Sequence, residues 1–212
     1  MPHWTESLHV FCADVGSIAK GKFAWARRLP GDTEEELHAP SSIESLAGAV
    51  AHQLERDRPL ALGFEAPLFL PVPVASSELG KARPCDVNAP AWSSQIGGSV
   101  MATGIAQLAW TLRRVRERAP ATELFLQWEP FAAVGHGLLV WEAFVTRDAK
   151  GTSDEEDATI GLDAFCAQLP TPGDDNANET EAPLSLAAMA GMWAGWDLSP
   201  ELLASACLVV RA

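Results

Sequence analysis

Three apolar runs in this chain each end on an acid. Leu8–Ala13 leads into Asp14, Leu60–Phe64 into Glu65, and Leu124–Trp128 into Glu129. A fourth source of carboxylates is Asp154-Glu155-Glu156-Asp157, which opens a helical pattern. Ligands of open α/β sheets bind beyond the carboxyl ends of parallel strands. Neighbouring parallel strands would therefore bring these acids to one edge. Carboxylates crowded together repel and raise each other's pKa. A divalent cation removes that penalty, and Mg²⁺ and Mn²⁺ favour oxygen ligands. Such a cup could activate a water against a phosphodiester and stabilise the leaving oxygen. The competing reading is structural. Asp14 can form the bend before Gly16, and Glu129 can solvate a strand end. Ser153 with Glu156 matches a capping box, and acids favour the first turn of a helix. Glu65 is harder to dismiss, because an acid closing an apolar strand needs a partner.

The elements that must position these residues follow from periodicity. Leu8–Ala13 reads as a strand, and the stretch from Lys22 to Leu29 as its antiparallel partner across the turn at Gly16–Gly21. Ile43, Leu46, Ala47, Val50, Ala51 and Leu54 form a helical stripe, capped by Ser41 or Ser42. Leu60–Phe64 is a buried strand closed by a proline. A helix from about Ser99 to Arg118 carries Met101, Ile105, Leu108, Leu112 and Val115 on one face. Leu138–Val145 fits strand or helix, and a helix follows Ser153. Leu184–Trp193 reads as a helix and Ala206–Val210 as a closing strand. Strands alternating with helices predict an α/β domain with a central mixed sheet. The chain of 212 residues suits one domain, 1–212. Its long loop near 66–98, rich in Pro, Ser and Gly, is of a length that is usually functional or mobile. The acidic loop near 170–183 is expected to be the most mobile part.

Charge sets limits. The formal net charge is −13, whereas proteins that grip nucleic acid by counterion release are usually basic. A nucleic-acid partner would be held weakly, locally or through metal. Between Lys81 and Arg118 there are six basic residues against two acids, and between Glu142 and Glu181 eleven acids against two bases. This is either a pair of solvated faces or a basic flank beside a carboxylate site. Lys81 and Arg83 are the candidates to orient a phosphate. Trp92, Trp110, Trp128, Trp141, Trp193 and Trp196 could stack bases, although the core is the default place for tryptophan. His136 reads as a loop histidine first and a catalytic base second. No nucleophile elbow or phosphate-gripping GxxxxGK[ST] loop is present. Cys12, Cys85, Cys166 and Cys207 form no CxxC pair, and most lie in apolar stretches. With no signal-peptide pattern and no apolar run of spanning length, a reducing cytoplasm and no membrane are expected. A homo-oligomer stays open.

Several of these pieces resemble a known family. Asp14-Val15-Gly16-Ser17 after its strand is similar to the first motif of the ribonuclease H-like superfamily, in particular its Holliday-junction-resolvase branch. Gly63-Phe64-Glu65-Ala66 resembles that branch's strand-end glutamate, and Asp154-Glu155-Glu156-Asp157-Ala158 its carboxy-terminal D-x-x-D-A motif. Arg83-Pro84-Cys85-Asp86 and Glu142-Ala143-Phe144-Val145 resemble parts of an uncharacterised family of predicted ribonuclease H-like nucleases. The resemblance implies a three-layer domain, a mixed sheet flanked by helices. Its opening three-stranded meander could draw a third strand only from around His38. The resemblance further implies catalysis at Asp14, Glu65 and Asp157 with Mg²⁺ or Mn²⁺, and Asp154 as a fourth ligand. Ser17, Lys81, Arg83 and Glu129 are the substrate-side candidates. The implied function is metal-dependent phosphodiester hydrolysis in nucleic acid. The alternatives are a non-catalytic binding or scaffold module on the same fold, or a phosphohydrolase of small metabolites.

Overall fold

In the structure, a computed structural model, β1 (His9–Asp14) and β2 (Ala24–Arg28) form the expected antiparallel pair. The description covers residues 3–28, 36–37, 42–86, 91–145, 149–173 and 180–212. A third strand, β3 (Glu36–Leu37), adds antiparallel to β2. It lies just before His38, which is outside the described residues, as is 174–179 of the acidic loop. The chain then enters α1 (Ile43–Leu54), whose cap is Ser42: its side chain accepts from the Ser45 N–H. The stripe expected for this helix is buried in full.

β4 (Leu60–Glu65) pairs parallel with β1, in a register that sets Asp14 opposite Glu65. The long segment after it contains β5 (Phe69–Pro71) and two short 3-10 turns at Ser76–Glu78 and Pro84–Asp86. α2 (Gln95–Arg118) starts a turn earlier than the apolar spacing predicts, capped by Ser94. β6 is only Leu124–Phe125, and the chain turns at once into α3 (Trp128–Val134). The residues 126–129 are therefore not strand. Trp128 and Phe131, three apart, are buried on the inner face of α3, and Pro130 sits in its first turn, where proline is tolerated.

The ambiguous run is a strand, β7 (Leu138–Phe144), buried along its whole length. It lies parallel to β4 on one side and to β6 on the other. Beyond β6, the same edge of β7 is taken by β9 (Leu208–Arg211), also parallel. α4 (Asp154–Ala167) follows β7. β8 (Pro183–Ser185) pairs with β5 and leads into α5 (Leu186–Trp193). The order β3-β2-β1-β4-β7-β6 makes a mostly parallel seven-stranded sheet with β9 on β7.

The fold is thus mixed α/β, with helices on both faces. Strand alternation divides the core. Phe11, Leu62, Phe64 and Val140 face α1, α2 and α5. Val10, Cys12, Ala61 and Trp141 face α3 and α4, against Leu162 and Phe165. Successive strand residues point to opposite faces, so Asp14 shares the α4 side with Val10 and Cys12. Glu65 shares it with Ala61 and Gly63.

Two glycines let α4 and Trp141 lie close to that face. A Cβ at Gly63 would stand 2.4 Å from the Trp141 ring. A Cβ at Gly161 would meet Cys12 Sγ at 2.8 Å and Ala143 Cβ at 3.3 Å. Gly161 lies one turn beyond Asp157, so the close approach that it permits also seats Asp157 over the sheet. Gly161→Val should therefore lower stability by about 1–3 kcal/mol through overpacking. Urea unfolding would measure this, and an unchanged midpoint would mean that the helix can lift without cost. All four cysteines are free; Cys12, Cys85 and Cys207 are buried and Cys166 is half-buried. Among the described residues, no helix is long and apolar enough to cross a membrane.

Candidate metal centre

Asp14 and Glu65 end adjacent parallel strands on the same face, and Asp157 stands in the first turn of the helix above them. Each offers one carboxylate oxygen, and these oxygens lie within 4.8 Å of one another. Asp14 and Asp157 are each only 8 % exposed. Three acids separated by up to 143 positions in the chain thus meet because strand register, strand alternation and helix docking agree.

The capping expected at the Asp154–Asp157 cluster is seen at the start of α4. Ser153 accepts from the Glu156 N–H, and the Glu156 carboxylate accepts from Thr152. Those two bonds hold the Glu156 carboxyl below its ordinary value. Asp157, one residue on, turns inward.

The group carries an internal cation. Lys150 Nζ donates to Glu65 Oε1 at 2.9 Å and to Asp157 Oδ2 at 2.7 Å. The Gly151 N–H donates to Asp157 Oδ1 at 2.7 Å. Asp14 and Glu65 remain close enough to share a proton. Burial, first, and then the Glu65 carboxylate push Asp14 up to about 9. Burial also raises Glu65, against the Lys150 ammonium. Glu65 Oε2 is buried and receives no donor among the described residues. A proton on Asp14 would answer it.

The donor set suits a hard divalent cation. Its ligands are all oxygen, a buried oxygen has no donor among the described residues, and burial, before the neighbouring charges, favours a proton on Asp14. The lysine and one shared proton together supply two positive charges, which is the charge of Mg²⁺ or Mn²⁺. Loading would therefore exchange cations without changing the net charge of the cup.

Beside the acids lies a cavity of about 390 Å³. Its walls come from the carboxyl ends of β1, β4 and β7 and the first turns of α2, with Val15, Ile96, Val100 and Phe144 making them mostly apolar. Arg83, Asp86 and Glu142 line it as well.

Arg83 does not act as a phosphate clamp, contrary to the sequence expectation. Its side chain is fully buried, and all five donors are used. Nη1 and Nη2 reach the two oxygens of Glu142 at 2.8 and 2.7 Å. Nε and Nη2 reach Asp86 Oδ1 at 3.0 and 2.8 Å, and Nη1 also meets the Phe69 carbonyl at 3.2 Å. The guanidinium stands 4.6 Å from the Phe69 ring centre. Glu142 Oε2 accepts a further bond from the Leu68 N–H, 2.9 Å away. This network ties the long segment after β4 to β7.

The other candidates are placed elsewhere. Glu129 is exposed in the first turn of α3, beside the amino-terminal half of β7, because the Leu124 strand stops after two residues. It does not join the other strand-end acids. Lys81 is exposed and paired with Glu78, and it does not line the cavity. Ser17 is exposed where it opens the 3-10 turn Ile18–Lys20. Asp154 pairs with Lys22 at 3.4 Å rather than with the three acids.

Among the described residues, a basic flank beside the site is not found. The cavity meets α2 at Ile96, Gly97 and Val100, whereas Arg113, Arg114, Arg116 and Arg118 occupy its far end. At 1.5 Å per residue, Gly97 and Arg113 are roughly 24 Å apart along the axis. Those arginines are also engaged: Arg113 and Arg114 with Glu117, Arg118 with Glu55, and Arg116 with the Pro120 carbonyl. Among the tryptophans, Trp128, Trp141 and Trp196 are buried, while Trp193 is 63 % exposed and lies under Arg113.

Sequence reasoning missed Lys150 and Glu142 as site residues. An acid inside the apolar run Leu138–Val145 was the available signal for Glu142, by the same logic that marked Glu65.

The arrangement belongs to a recognisable class: an α/β domain whose acids gather at the carboxyl ends of parallel strands. Comparison of the chain with protein-family models, with curated proteins and with solved structures gives no match.

Proposed function

We propose that this chain is a divalent-metal-dependent phosphodiester hydrolase of ribonuclease H-like type. The observation that carries the reading is the meeting of Asp14, Glu65 and Asp157 within 4.8 Å. The strand pattern supports it: an antiparallel β1–β2–β3 meander followed by parallel β4 and β7. That is the meander which the resemblance implies. Asp14, Glu65 and Asp157 would hold Mg²⁺ or Mn²⁺, which when bound would activate a water and stabilise the leaving oxygen. Asp14 and Glu65 give up their shared proton on loading. The Gly151 N–H fixes the rotamer of Asp157. Asp154 pairs with Lys22 and is outside the group of three, so it is not counted as a ligand.

Structured nucleic acid, held weakly and through metal, is the proposed substrate. The test is Mg²⁺- or Mn²⁺-dependent cleavage of structured DNA and RNA, with Asp14→Asn alongside. Cleavage is expected with the native chain and metal, and a loss of 10²-fold or more with the variant. Activity that survives Asp14→Asn removes the assignment.

The distance between the cavity and the basic end of α2 favours a second reading, a phosphohydrolase of small phosphate esters. Turnover of a generic phosphodiester such as bis-p-nitrophenyl phosphate, without cleavage of nucleic acid, would select it.

A further inference from the structure

We propose that Lys150 is the phosphate ligand of this site, held back in the metal-free protein by the acids that it bridges. The inference rests on the metal-centre reading above and adds to it the group that meets the substrate anion.

Two of the three acids direct an oxygen at the same ammonium, one from the end of β4 and one from the first turn of α4. A divalent ion among these oxygens would face a positive nitrogen within about 3–4 Å, and like charges so close repel strongly outside bulk water. The ammonium must then leave. It has somewhere to go: the Lys150 side chain is 45 % exposed, and the residue sits in the connection between β7 and α4 rather than on either element. It also lines the cavity.

Among the described residues lining the cavity, Arg83 and Lys150 are the cationic ones. Arg83 has no donor to spare. A phosphate entering beside Asp86 and Glu142, in a protein of net charge −13, needs a positive partner. A displaced Lys150 supplies it as a compact charge on a flexible stem.

One consequence separates this role from simple ion pairing. Metal releases the lysine that phosphate binds, and phosphate holds away the lysine that competes with metal. The two ligands therefore favour each other, reciprocally.

The experiment is calorimetric titration of Mn²⁺ into the whole chain, with and without inorganic phosphate, for the native protein, Lys150→Met and Lys150→Gln. Glu65→Gln shows whether the heat comes from this centre. Without phosphate, both lysine variants should bind Mn²⁺ about tenfold tighter than the native chain. Phosphate should tighten Mn²⁺ binding to the native chain by about threefold or more, and leave both variants unchanged. Equal Mn²⁺ affinity in native and variant proteins overturns the proposal, as does phosphate coupling that persists without the lysine. If Glu65→Gln abolishes Mn²⁺ binding in either case, the metal centre stands and the lysine role alone falls. Absence of Mn²⁺ binding, or binding that survives Glu65→Gln, removes both.

Discussion

Arg83→Met should unfold this protein more readily than any change at the acidic cup. Arg83 pairs with both Glu142 and Asp86, whose side chains are each 1 % exposed. Removing it takes from two buried carboxylates the guanidinium that pairs with both. Breaking a buried ion pair from one side costs about 3–5 kcal/mol, because the remaining charge is uncompensated. Domains have only about 5–15 kcal/mol to lose. Soluble yield should fall, and the midpoint of urea unfolding should drop sharply. Arg83→Lys should not rescue it, since one ammonium cannot replace five donors in a planar fork. The triple change Arg83→Met, Asp86→Asn, Glu142→Gln should recover a substantial part of the loss, because both orphaned charges go with the arginine. An Arg83→Met protein as stable as the native chain would show that the two acids take up protons at little cost, and that the network does not anchor the segment after β4.

The same network shows where the sequence could be read and where it could not. β1, α1 and β4 were legible almost to the residue, because β1 and β4 are short unbroken apolar runs closed by an acid and α1 repeats its apolar residues at 3.6. The convergence of Asp14, Glu65 and Asp157 was legible in outline: acids that end buried strands point to a shared edge. Glu129 followed the same rule and failed it. Leu124–Trp128 looks like a strand, but Trp128 and Phe131 share a helix face and Pro130 fits a first helical turn, so the strand ends early. Arg83 could not be placed from its neighbours. Whether an arginine faces solvent or two carboxylates depends on a contact with Glu142, 59 residues away. Lys150 carried no local signal at all. Its position follows from the docking of α4 on the sheet, which close approach at Gly161 permits and which no period of the sequence encodes.

Asp14→Asn should abolish metal binding and, in the metal-free protein, raise stability. Asp14 is carried from an ordinary carboxyl value of 3.8 to about 9 by burial and by Glu65. The folded state therefore holds a proton that the unfolded chain releases between about pH 4 and pH 9. Over that interval the unfolded state binds fewer protons, so stability falls as pH rises. The penalty is absent below about pH 4 and complete above about pH 9. Asparagine cannot ionise, and its amide can donate to Glu65 at any pH, whereas the Asp14 carboxyl can do so only while it keeps its proton. The variant should gain on the order of 2 kcal/mol at pH 7, or roughly 4–8 °C in Tm for a domain of this size. Melting curves in a chelator at pH 5 and pH 8 test the sign, since the gap between variant and native chain must widen at the higher pH. Added Mn²⁺ should then raise the Tm of the native chain by mass action and leave the variant unmoved. If the gap stayed constant with pH, the Asp14 carboxyl would already be ionised, and the charge balance that makes room for a divalent cation would not exist.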